Sequence, residues 1–154
     1  REHMSLHQAV QEGQLAQVEA LIAGGADVNA PNADGASPLL VAAGAGSAAV
    51  VLALLGAGAD VKATDSDGWN SLHIAGPYGH VDVVKALLAA NVDVQQEDAS
   101  KNTPLHLSAA EGEKAVCELL KAAGASLTAT NSEGHTAAAM AQEEGHSDTA
   151  ALLS

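Results

Sequence analysis

The chain has 154 residues, with 19 acidic side chains against six basic ones and a formal net charge of −13, which argues against nucleic-acid binding because phosphate contacts need Lys and Arg. Hydrophobic residues make up 47% of it, yet there is one Trp, one Tyr and no Phe, so a core must be built from Leu, Val, Ile and Ala in thin, close-packed layers. The single cysteine, Cys117, excludes an intramolecular disulfide framework, and no basic segment followed by an apolar one opens the chain, so no signal peptide and an intracellular setting, cytoplasmic or nuclear, are expected.

In chain order, REHM (residues 1–4) reads as a cloning or excision remnant and is set outside the fold. The unit 5–32 carries LHQAVQEGQLAQVEALIAGGAD, from Leu6 to Asp27. The unit 33–65 begins in the turn NADGASP, where Gly35 is expected at positive φ, Ser37 as N-cap and Pro38 as the first helical residue. It continues as LLVAAGAGSAAVVLALLGAGAD, from Leu39 to Asp60. The unit 66–98 has the turn SDGWNS with Gly68, then LHIAGPYGHVDVVKALLAANVD from Leu72. Its second helix is marked by Val83, Val84, Leu87 and Leu88 at helical spacing, and Pro77 is expected to shorten its first helix. The unit 99–131 starts its first helix at Thr103-Pro104, with Lys101 where the other turns have glycine. The unit 132–154, with Gly134 in its turn, is cut short by the terminus.

These units superpose at a shift of 33 residues without a gap. One glycine column runs Gly13, Gly46, Gly79, Gly112, Gly145, and one leucine column runs Leu21, Leu54, Leu87, Leu120, Leu153. Interior columns turn polar at the ends: Val50, Val83 and Val116 become Gln17 and Thr149, and Val41, Ile74 and Leu107 become Gln8. The first and last units are therefore expected to be caps with a polar outer face.

The register decides between readings of the second unit. Gly44 to Ala49 mimics a dinucleotide-binding turn, but the register makes Leu39 to Ala43 a helix where that fingerprint needs a strand. The uncharged run from Ala36 to Ala59 is long enough for a membrane span, but its sister units are charged and Gly44 and Gly46 break it. No catalytic arrangement emerges, no cofactor is expected, and Cys117 replaces a core valine. His7, His73 and His106 share a column, but stacked helices lie about 8–10 Å apart, too far for residues one repeat apart to share an ion.

The 33-residue unit with TPLH (Thr103 to His106), SLHIA (Ser71 to Ala75), GHVDVVKALL (Gly79 to Leu88) and GADVNA (Gly25 to Ala30) resembles an ankyrin repeat, from Ser5 to Ser154. The resemblance implies an all-α-dominated solenoid of hairpin–helix–helix units. It implies a non-enzymatic protein-interaction module that uses its hairpin tips and first helices. It also implies that the TPLH-position histidines bond backbone between neighbouring hairpins. Asn29 stands at the asparagine that some ankyrin proteins carry hydroxylated.

Carried onto this chain, the family's contact positions give Asp34, Ala36, Asp67, Trp69, Pro77, Tyr78, Asn102, Glu111, His135 and Glu144 as partner-binding residues. The expected concave face carries Glu12, Asp34, Asp67, Glu111, Glu133, Glu143 and Glu144, with Lys101 as its base, which favours a basic protein or peptide partner. Trp69 and Tyr78 fall together in the third unit and are expected to shape a pocket rimmed by Asp67. Leu52, where sister units have Lys85 and Glu118, is expected to face outward with Ala49, Ala53 and Gly56. That patch leaves room for self-association of an otherwise monomeric chain. It would equally suit a regulatory domain packing against a larger parent enzyme or channel.

Overall fold

Capping residues recur at one repeat position in four units, and one residue later at Ser5 in the first, and each one starts a helix. The computed structural model describes residues 4–154 and contains α1 (Leu6–Gln11), α2 (Leu15–Ala23), α3 (Pro38–Ala45), α4 (Ala48–Gly56), α5 (Ser71–Ala75), α6 (Val81–Ala89), α7 (Pro104–Ala110), α8 (Lys114–Ala122), α9 (Ala137–Glu143) and α10 (Ser147–Leu152). The side chains of Ser5, Ser37, Asn70, Thr103 and Thr136 each accept a hydrogen bond from a backbone N–H in the first turn of the helix that follows. Within four of the pairs the first helix stops one or two residues before the glycine column, while α5 ends four residues before it; the five members of the column have φ between 68° and 83°. The apolar run of the second unit is split in this way, with Leu39–Ala43 inside α3 and Gly46 at φ 80° before α4. Among the described residues no helix is long and apolar enough to cross a membrane.

The odd-numbered helices pack successively on one another, as do the even-numbered ones, and each odd helix packs on the even helix after it. Between the two rows lie the repeating core layers: Leu39, Leu72 and Leu105; Val18, Val51, Val84 and Cys117; Val50, Val83 and Val116; Leu54, Leu87, Leu120 and Leu153. Fully burying one such side chain contributes roughly 1.5–3 kcal/mol, so repetition of small layers replaces the missing aromatic core. Met4, expected outside the fold, is half-buried and packs against this core; the rest of REHM lies outside the described residues.

The two ends behave differently. Gln8 is exposed and Gln17 half-exposed, as a polar cap requires, but Thr149 is buried at 3% exposure. The reason is the direction of the column. Val116 points back toward Gly76 of the preceding unit, where an added Cβ would lie 3.5 Å from its Cγ1. Among the described residues no unit lies before the first, and Gln17 is half-exposed; the last unit has a predecessor, so Thr149 is covered. Polar substitution in this column marks only the N-terminal cap.

Hairpins project beyond the first helices. Each turn is closed by an Asx side chain: Asn32, Asp65, Asp98 and Asn131 accept from the backbone N–H groups two and four residues on. His73 and His106 knit neighbouring hairpins, with Nε2–H donating to Asn102 O at 2.8 Å and His135 O at 3.0 Å. Their Nδ1 atoms accept from the N-cap backbone N–H groups of Asn70 and Thr103, which fixes the tautomer. His7 likewise reaches Ala30 O at 2.7 Å. Lys101 is held at φ 64°, the left-handed conformation its sister glycines adopt.

Candidate functional site

The third hairpin positions the aromatic centre of the face. Asp65 Oδ1 accepts from Asp67 N at 2.9 Å and Trp69 N at 3.0 Å, while Asp65 N donates to Trp69 O at 3.0 Å. That turn delivers the Trp69 ring toward the fourth hairpin, where its Nε1–H donates to Asp98 Oδ2 at 2.9 Å. The other oxygen of Asp98 closes its own turn on Ser100 N at 2.8 Å and Asn102 N at 2.9 Å. One carboxylate thus fixes both the hairpin and the indole beside it. Ala99 N donating to Asp67 O at 3.0 Å adds a direct backbone link between the two hairpins.

On one side of the indole lies an open hollow of about 410 Å³, formed by Trp69, His73, Ile74, Pro77, Tyr78, Leu107, Ala110 and Glu111. Pro77 helps to open it: α5 has five residues where α3 has eight and α7 has seven, and the chain after Ala75 continues as turns. Those turns present Tyr78 at 67% exposure, with its ring stacked on His80 at a centroid distance of 5.4 Å. His80 is itself held by Nε2–H donating to Gly44 O at 3.2 Å and by packing over Gly46. Both aromatic walls therefore rest on anchored neighbours.

Asp67 does not rim this hollow, as its sequence position suggested; Glu111 does. The Trp69 ring separates the two, because its indole turns toward Asp98. Asp67 lies on the far side of Trp69, in a smaller depression of about 270 Å³ shared with Asp98, Asn102 and Leu107. It also borders a shallow basin of about 610 Å³ with Asp34 and Asp65. The three depressions are contiguous, sharing Asp67 and then Trp69 and Leu107. They gather Asp34, Asp67, Trp69, Pro77, Tyr78, Asn102 and Glu111. Ala36, His135 and Glu144 line none of them. His135 instead spends its carbonyl on His106 and places Nε2 3.5 Å from Glu143 Oε2.

Sequence reasoning missed Asp98, Ile74 and Leu107; Ala110 is among the first-helix contact positions that the family resemblance implies. The repeat pattern places Ile74 and Leu107 in an interior column, yet both are half-buried and line the hollow. The column itself is half-buried in every central unit, at Val41, Ile74 and Leu107, and only its apolar character is legible in the sequence. Asp98 carried no signal beyond being the Asx of its own turn.

Electrostatically the face is negative. Glu12, Asp34, Asp67, Glu111, Glu133, Glu143 and Glu144 are all exposed, and among the described residues no Lys or Arg side chain lies within 4.0 Å of a carboxylate; the one basic-group contact to a carboxylate is His135–Glu143. Burial holds His73 and His106 below the ordinary imidazole pKa, so both stay neutral in their hairpin ladder. Burial, reinforced by Glu113 and Glu118, pushes the Cys117 thiol up to about 12, which makes it an inert core residue. On the opposite row, Leu52 of α4 is 57% exposed.

Comparison with protein families matches residues 6–98 to ankyrin repeats in three copies and residues 100–132 to a further ankyrin repeat. No curated protein sequence shows a significant match. Five helix pairs in register, the histidine ladder between hairpins and these matches agree. The chain belongs to the ankyrin-repeat family, whose members are generally protein–protein interaction modules.

Proposed function

We propose that this domain is a non-enzymatic recognition module whose hairpin-tip and first-helix face binds a basic protein segment. The observation that carries this reading is the run of contiguous depressions, apolar beside Trp69 and acidic along Asp34, Asp67 and Glu111. Aromatic residues supply contact area at small entropic cost, while the surrounding carboxylates steer a cationic partner and reject an acidic one. The test is affinity capture with wild-type protein and the Trp69→Ala/Tyr78→Ala double variant at low and high salt, with sequencing of what is retained. A basic partner lost by the variant and weakened by salt supports the reading. A partner retained equally by the variant removes the site from this face.

Leu52 favours a second reading, in which the outer side of α4 packs on a second copy or on another part of a longer parent chain. Light scattering at high concentration tests the first form of it, and monomeric behaviour there counts against self-association.

A further inference from the structure

The hollow beside Trp69 has a chemistry narrower than "basic partner" requires. Its floor is hydrocarbon, from Ile74, Leu107 and Ala110, and its walls are the Trp69 and Tyr78 rings. Its one acidic group is Glu111, which is exposed and meets no cation among the described residues. A side chain that fits must offer a long apolar stem, a flat or polarisable head for the rings, and a positive charge for Glu111. An aliphatic residue would leave the carboxylate unused, and an acidic one would be repelled by it. The open hollow of about 410 Å³ has room for one long side chain with water beside it.

We propose that this hollow is the anchor pocket for a single arginine of the partner, its stem on the Ile74–Leu107 floor, its guanidinium against the aromatic walls and paired with Glu111. The proposal rests on the reading of the acidic face as the binding face and names the residue recognised there. Arginine is preferred to lysine because a planar, weakly hydrated guanidinium stacks on an aromatic ring and meets a carboxylate with two parallel donors, whereas an ammonium keeps its water. The site is prepared in advance. The Asp98 bond holds the indole at 2.9 Å, and His80 supports the Tyr78 ring, so neither wall has to be ordered on binding.

The experiment uses the whole chain, labelled with ¹⁵N. N-acetyl-arginine methylamide is titrated to tens of millimolar while the indole N–H of Trp69, the single tryptophan, reports directly from the wall. Citrulline and lysine analogues are titrated in parallel, together with a short peptide of alternating arginine and glycine. The expected result is saturable shifts at Trp69, Tyr78, Ala110 and Glu111 with the arginine probe. The citrulline analogue, which lacks the charge, should bind at least about tenfold more weakly, and the lysine analogue about threefold more weakly. Glu111→Gln and Tyr78→Leu, both at exposed positions, should each reduce arginine affinity by about fivefold while the rest of the spectrum stays in place.

Equal binding of citrulline, tighter binding of lysine, or no shift in the hollow overturns the proposal. If the peptide then binds along Asp34 and Asp67 without touching Trp69, the arginine pocket falls and the acidic-face reading stands. If neither arginine probe shifts any residue of the face, both fall.

Discussion

Ser108→Ala should stabilise the protein. Ser108 lies in α7 at 0% exposure, and its hydroxyl has no hydrogen-bond partner. Its sister positions, one repeat apart, are Ala9, Ala42, Ala75 and Ala141, all with 0% exposure. Leaving a buried hydroxyl unsatisfied costs about 1–3 kcal/mol. Deleting one oxygen leaves a void of atomic size, worth a few tenths of a kcal/mol at about 24 cal/mol per Å³, and alanine is the better helix former by about half a kcal/mol. The gain should therefore be about 1–2 kcal/mol, a rise in Tm of roughly 2–4 °C per kcal/mol for a chain of this size. Urea denaturation with an unchanged m-value is the assay. An unchanged or lower midpoint would refute the reasoning, because it would mean that the hydroxyl is satisfied. A second measurement isolates the cause. A Cβ at Gly76 would collide with Ser108 Oγ and lie 2.9 Å from Leu72 O. Gly76→Ala should thus be harmful in both backgrounds but less so when combined with Ser108→Ala, with a coupling of at least about 0.5 kcal/mol in the double-mutant cycle.

Three further outcomes follow from the same geometry. Lys101→Gly should raise stability by about 1 kcal/mol, because left-handed backbone costs a non-glycine residue about 1–2 kcal/mol and the sister glycines tolerate it freely; a lower urea midpoint would show that the lysine side chain does something the backbone does not reveal. Stability should fall as pH drops below 6.5: burial lowers the folded-state pKa of His73 and His106, so the unfolded chain binds more protons between the depressed values and 6.5. Their Hε1 resonances should accordingly titrate below 6.5, and midpoints above it would reverse the sign. Cys117, at 0% exposure with its thiol pushed up to about 12, should react with a thiol reagent only at the rate of unfolding, so fast labelling of native protein would contradict its burial.

The repeat, its helix starts and its glycine stops were legible in the sequence because each depends on one residue at one position. Ser37-Pro38 sets an N-cap and a first turn wherever it stands, and Gly46 can hold φ 80° without strain. Direction along the stack was not legible. A column of Val50, Val83 and Val116 does not say which neighbour it faces, so Gln17 and Thr149 looked equivalent although one meets solvent and the other meets the preceding unit. Glu111 and Asp67 changed places as rim residues for a similar reason. The side on which an indole lies is decided by a bond to Asp98, 29 residues away, and no local pattern encodes it.

In the proposed reading, that bond links the aromatic pair to the acidic face. An exposed indole free to rotate would cover the apolar floor in solution and would have to be lifted and ordered when a partner arrived. Fixing it on Asp98 leaves the floor of Ile74 and Leu107 open before binding, at the expense of exposed apolar surface in the free protein. The dense negative charge offsets that liability: copies carrying −13 repel one another, while a cationic segment is drawn to the same surface. Acidity for solubility alone leaves the short α5 and the outward Tyr78 on His80 without a role, whereas the proposed binding reading uses both. In the proposed reading, those two features keep the hollow open for the side chain that enters it.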